Sequence, residues 1–175
     1  MELVEWLSMQ TLEPPDGHYL SAAIGWLELG NQAEAKLELA QIDPAQQKTP
    51  AVLEVSWMIH AADRDWPAAL ESARTMIESA PDQPCGWLHQ AYALRRVPGA
   101  ELAAVWDALL PAWQKFPDEP VVPYNLACYA CQLGRRTEAL VWLKRAFSAG
   151  RKENIKLMAL SDPDLEPLWS EIQKF

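Results

Sequence analysis

Residues 124–147 read "YNLACYACQLGRRTEALVWLKRAF". The stretch is two helical runs joined at Gly134. In the first run, Leu126, Ala127, Ala130 and Leu133 recur at three- and four-residue spacing and form one apolar stripe. Small residues on such a stripe let a second helix approach closely, and the leucines fill the gaps beside them. A second run follows the glycine, with Ala139 five residues beyond it. One such helix–turn–helix cannot bury its apolar face alone, so the pattern asks for copies elsewhere in the chain.

Three copies precede it. They are "HYLSAAIGWLELGNQAEAKLELAQIDP" (18–44), "AVLEVSWMIHAADRDWPAALESARTMIESAPD" (51–82) and "CGWLHQAYALRRVPGAELAAVWDALLPAWQKFPDEP" (85–120). Aligned on the central turn, Gly30, Arg64, Pro98 and Gly134 fall 34, 34 and 36 residues apart. Ala35 and Ala69 match Ala139, while Val105 stands at that place in the third copy, which carries about two extra residues around "RRVPGAE". Pro44, Pro81 and Pro117 mark three copy ends, where a residue that cannot continue a helix is expected. The stretch "IDPAQQKTP" reads as a looser link.

This pattern resembles the tetratricopeptide repeat, a helix–turn–helix unit of about 34 residues. The fourth segment carries that family's aromatic-Asn-Leu-small opening, its turn glycine, its Glu-Ala pair and its late alanine. The second has Trp66 at the usual aromatic place and Pro81 at the usual terminating proline. The resemblance spans roughly residues 17–160. It implies an all-α fold: an α-solenoid of antiparallel helix pairs wound as a right-handed superhelix. The whole chain, 1–175, is then one domain, with an N-terminal segment (1–16), four helix pairs (17–150) and a C-terminal capping segment (151–175). In that cap, "ENIKLMAL" places Leu157 and Leu160 at the register of a fifth first helix. Ser161 or Asp162 is the expected cap of the last helix, prolines limit it to a turn or two, and Trp169 folds back onto the body. At the other end, "ELVEWLSMQTL" suits a short helix that packs through Val4, Trp6, Leu7 and Leu12.

Composition agrees with a helical globular protein. Half of the 175 residues are hydrophobic and 22% are charged, well away from the disordered range. Nine tryptophans supply large rings for a core or an interface. Residues 1–88 carry 14 acids and 4 bases, and residues 89–175 carry 10 acids and 11 bases, so nearly all of the net charge of −9 lies in the first half. That balance speaks against nucleic acid, whose phosphates need Lys and Arg. The bases gather late, at Arg135, Arg136, Lys144, Arg145, Arg151, Lys152 and Lys156, as a solvated face or a surface for something acidic. No stretch approaches the ~18 apolar residues of a membrane span, and the acidic N-terminus is unlike a signal peptide. Three cysteines, an odd count, fit a reducing compartment, so the expected location is cytoplasmic.

Cys128 and Cys131 form a C-x-x-C in mid-helix. A redox pair of that kind sets its first cysteine at a helix N-terminus, where the dipole favours the thiolate. A structural zinc needs four ligands, and Cys85, His18, His60 and His89 offer no second pair at metal spacing. The two thiols are expected to be reduced and metal-free. No histidine has triad partners at recognisable spacing, and there is no phosphate-binding glycine loop and no H-E-x-x-H. The chain therefore reads as a protein with no catalytic residue, metal or cofactor.

In the family it resembles, the first helices line a concave groove that takes an extended or helical peptide. The expected lining is Leu20 and Ile24 in the first copy, Glu54 and Met58 in the second, Leu88, Tyr92, Arg95 and Arg96 in the third, and Tyr124, Cys128, Cys131 and Gln132 in the fourth. The Lys and Asn set with which some members clamp a terminal carboxylate is missing. The expected function is a scaffold or adaptor that binds a peptide or helix of another protein. One alternative is a small acidic chaperone that keeps a client soluble. Another is a self-associating module, its groove filled by residues 1–12 or by a second copy in a homodimer.

Overall fold

The structure, a computed structural model, describes residues 12–175, and it is helical throughout, with no strand among the described residues. The expected short helix at the N-terminus lies outside the described residues except for Leu12, which packs on the first core cluster. Contacts group the chain into two compact units, Met1–Ala93 and Leu94–Phe175. No charged residue occurs between Gln83 and Leu94, so this boundary also divides the acidic from the near-neutral part of the chain.

The first unit holds α1 (Asp16–Glu28), α2 (Gln32–Leu39), α3 (Pro50–Ala62), α4 (Trp66–Ser79) and all but the last residue of α5 (Pro84–Leu94). The second holds α6 (Leu102–Lys115), α7 (Val121–Gln132), α8 (Arg136–Ala149), α9 (Lys152–Ser161), a 3-10 turn (Pro163–Leu168) and the short α10 (Trp169–Ile172). Helices pack on their neighbours in sequence: α1 on α2, α3 on α4, α7 on α8. No helix among the described residues is long and apolar enough to cross a membrane.

Three of the turns are built alike. After α1, α3 and α7 the chain passes through Gly30, Arg64 and Gly134 at φ of 73°, 58° and 74°. The next amide then reaches back five residues: Asn31 N–H to the Trp26 carbonyl, Asp65 to His60 and Arg135 to Ala130, at 2.8–2.9 Å. This left-handed closure satisfies the last carbonyls of the helix, and glycine adopts it without strain. Asn31 and Asp65 then cap the following helices by accepting from Glu34 N–H and Ala68 N–H. The third turn differs. Its left-handed residue is Gly99, at φ 80°, and not Pro98, and the connection runs over residues 95–101. Proline cannot take a positive φ, so the extra residues displace the turn by one position.

The small-residue register holds where the helices cross. Ala35, Ala69, Val105 and Ala139 have no solvent exposure, and neither do Ala73, Ala112 and Ala146 further along the second helices. Ala139→Leu is therefore expected to overpack the α7–α8 crossing and cost about 1–3 kcal/mol, read as a lower thermal midpoint with helicity retained. An unchanged midpoint would refute the crossing. Gly86 makes a comparable approach: a Cβ there would lie 3.0 Å from the backbone nitrogen of Ile77 on α4. The link 42–50 is tied down more firmly than its composition suggests. Gln47 donates to the carbonyls of Leu39 and Ile42, and Ile42 is buried.

One register is corrected. Leu157, expected to cover the fourth pair, is 72% exposed, and α9 buries Ile155 and Ala159 instead. The other expectations for that region agree with the structure. Asp162 caps the 3-10 turn by accepting from Asp164 N–H, α10 is one turn long, and Trp169 Nε1 donates to the Ala159 carbonyl.

Candidate functional site

Helix α7 carries Tyr124, Cys128 and Gln132 four residues apart, hence on one face. That face, expected to be open, is covered by the segment that follows α9. Tyr124 Oη donates to Asp162 Oδ2 at 2.8 Å, and Cys128 Sγ lies 3.5 Å from the same oxygen. Gln132 Nε2 donates to the main-chain carbonyl of Asp164 at 2.8 Å. Arg95, from the connection after α5, grips the Asp164 carboxylate with both terminal nitrogens, Nη2 to Oδ1 at 2.8 Å and Nη1 to Oδ2. Its guanidinium also sits 5.7 Å from the ring centre of Tyr129. Beyond these polar contacts Leu165, Leu168 and Ile172 have no exposure. The result is a helix buried on nearly all sides: α6, α8 and the 3-10 turn all pack on α7.

The electrostatics follow from the geometry. Burial, then the neighbouring Asp162 and Asp164 charges, pushes the Cys128 thiol far up. Burial and the Cys128 and Asp162 contacts do the same to the Tyr124 hydroxyl. Burial carries Tyr129 up to about 12 and also raises Cys131. The hydrogen bond to Asp164 raises Arg95. Thiols held protonated are poor nucleophiles and poor metal ligands. Donor atoms of Cys128, Asp162 and Asp164 lie within 4.8 Å of one another. Arg95 already neutralises Asp164, though, so a cation would face one carboxylate that both Tyr124 and the Asp164 amide already occupy, and a reluctant thiol. All three cysteines are free.

In the first unit the expected lining separates into core and surface. Leu20 is buried, and Ile24 packs on the cluster of Ala23, Ala35, Leu39, Val52 and Val55. Both belong to the core. Glu54 is buried as well, at 2% exposure, with Oε1 hydrogen-bonded to His89 Nε2 at 2.8 Å and Oε2 without a partner. The His89 ring lies flat on Trp57, with centres 3.8 Å apart and planes 7° apart. Tyr92 is 42% exposed and meets Trp57 edge-on at 5.7 Å and Trp66 at 6.0 Å. Met58 and Leu88 are half-buried, and so is Arg96 in the second unit. Burial followed by the Glu54 charge pushes Cys85 up to about 11.

The chain matches no protein-family model, and no curated protein matches it significantly. Any functional reading therefore stands on these contacts.

Sequence reasoning missed Asp162, Asp164, His89 and Trp57. The two aspartates are visible as "SDPD", but a cap accounts for one oxygen of Asp162 only: its second oxygen serves Tyr124, and Asp164 serves Arg95. The late basic residues mostly spend their charge locally. Arg145 lies 4.2 Å over the Trp142 ring and 5.3 Å over Trp113, Arg135 lies over Trp106, and Arg136 pairs with Glu171.

Proposed function

We propose that the chain is a protein-interaction module of the tetratricopeptide-like, helix-pair solenoid type, which binds a peptide or helix of another protein along the faces of its first helices. The observation that carries this reading is the α7 face. A first-helix surface holds a non-helical-repeat segment, residues 162–168, by reading two carboxylates and a main-chain carbonyl. That is the chemistry of peptide recognition, with side-chain pockets for specificity and a main-chain contact for register. The three alike turns and the buried small residues at the crossings support the same reading.

In the first unit the corresponding surface presents Tyr92, backed by Trp57 and Trp66 and flanked by Leu88. Aromatic rings seated on other rings bring large contact area at low entropic cost, and Tyr and Trp are enriched among residues that dominate binding energy. Tyr92→Ala is expected to weaken a captured partner by at least about 1 kcal/mol while the thermal midpoint stays put. The check is an affinity capture of wild type and Tyr92→Ala side by side, with partners quantified by mass spectrometry. Equal recovery of the same partners by both proteins would reject this face.

A further inference from the structure

We infer that the α7 face together with Arg95 is a binding site for acidic peptide segments of the form Asp-Pro-Asp-Leu, and that residues 162–168 are its resident occupant, in competition with a partner's segment of the same chemistry. This rests on the reading of the chain as a protein-interaction module, and adds to it a ligand class and a built-in competitor.

The contacts distinguish a ligand from a plain cap. Covering an apolar helix face needs only apolar side chains, and Leu165 and Leu168 supply those. Yet four polar groups from two separate parts of the unit converge on the segment. Tyr124 and Cys128 address the first carboxylate, Arg95 the second, and Gln132 the carbonyl of the same residue. A bidentate guanidinium–carboxylate pair selects planar, charged, correctly oriented groups. The two carboxylates are two residues apart, and Pro163 between them restricts the backbone that presents them. The site can also be entered from solvent, because the Arg95 and Asp164 side chains keep 31% and 23% of their exposure. The segment leaves α9 directly at Asp162, whose backbone is extended (φ −88°, ψ 115°), so no residue intervenes between Ser161 at the helix end and the ligand.

Tethering sets the terms of the competition. A segment joined by so short a connection acts at an effective concentration on the order of millimolar, so a partner's peptide binds in trans only if it beats that, or once the resident segment is weakened.

The test is fluorescence anisotropy with a labelled peptide spanning residues 160–170, "LSDPDLEPLWS". It is titrated with the full-length wild type, with Asp162→Asn/Asp164→Asn, and with that double variant also carrying Arg95→Ala. The double variant is expected to bind at least about 10-fold more tightly than wild type, because its own segment has lost the charge-assisted contacts. Arg95→Ala is expected to remove that gain, as is replacing both aspartates of the peptide by asparagine. Peptide binding that is absent from the folded double variant, or the same with and without Arg95, overturns the site.

Should the double variant fail to fold, the wild type itself decides. Cys128 lies beneath Asp162, so it is alkylated by N-ethylmaleimide only when the segment lifts. Site-resolved labelling that is insensitive to low urea reports local opening and supports exchange. Labelling that tracks global unfolding shows a fixed cap and overturns the proposal. Failure of the Tyr92 capture experiment leaves this titration unaffected, so the two readings fail separately.

Discussion

His89→Ala is expected to cost about 1–3 kcal/mol of folding stability, the range for leaving a buried polar group without its hydrogen-bond partner. Glu54 is almost fully enclosed, its Oε2 already lacks a partner, and His89 supplies the hydrogen bond to Oε1. Taking the imidazole away leaves a carboxyl group in the protein interior with neither water nor a donor. It also removes the ring that lies flat on Trp57. The sharper check is the double replacement Glu54→Leu/His89→Leu. A buried hydrogen-bonded pair exchanged for apolar side chains of similar volume is often neutral or stabilising, because no donor or acceptor is left unsatisfied. Urea denaturation should therefore place the double variant close to wild type and His89→Ala below it. A loss under about 1 kcal/mol for His89→Ala would mean that the carboxyl finds water, and that α3 and α5 are not joined through this pair.

Leu165→Ala is expected to cost about 2–5 kcal/mol, as for other fully buried leucines truncated to alanine. Leu165 has no exposure and sits in the 3-10 turn that packs on α7. Its partner Leu168 is equally buried, and the pair discriminates between two behaviours of the segment. If the segment unfolds only with the rest of its unit, the double variant Leu165→Ala/Leu168→Ala loses the sum of the two single losses, apart from coupling between neighbours. If the segment can detach by itself, the combined loss stops at the free energy that holds it down, since further damage to a detached segment costs the folded remainder nothing. Chemical denaturation of the four proteins reads this out directly, and losses that sum would count against exchange at the α7 face.

Some of this was legible in local pattern. Helices and turns follow from spacing within a dozen residues: the stripe of Leu126, Ala127 and Ala130, the glycines at 30 and 134, the alanines five residues beyond the turns. Each of these acts through its own helix and the one beside it, so a register read along the chain carries over. It failed where a local choice was nearly even. At 98–99 the proline and the glycine are adjacent, and only the sign of φ separates them. On α9 two apolar stripes compete, and the one carrying Ile155 and Ala159 is buried while Leu157 is left exposed.

The sequence by itself determined that this chain is helical, where its helix pairs turn, and which small residues sit at their crossings. Tertiary structure alone decided which first-helix faces stay open. Tyr124 meets Asp162 across 38 residues and Glu54 meets His89 across 35. No periodicity links such partners. A 3.6-residue repeat specifies that a face is apolar or mixed, but the same face serves as a groove or as an interior, depending on which distant segment comes to lie on it. Glu54 looked like a groove acid and is buried, with the His89 ring hydrogen-bonded to it and stacked in turn on Trp57. Tyr124 and Cys128 looked like open lining and are enclosed because Asp162, Asp164 and the leucines behind them find their donors and their apolar contacts there.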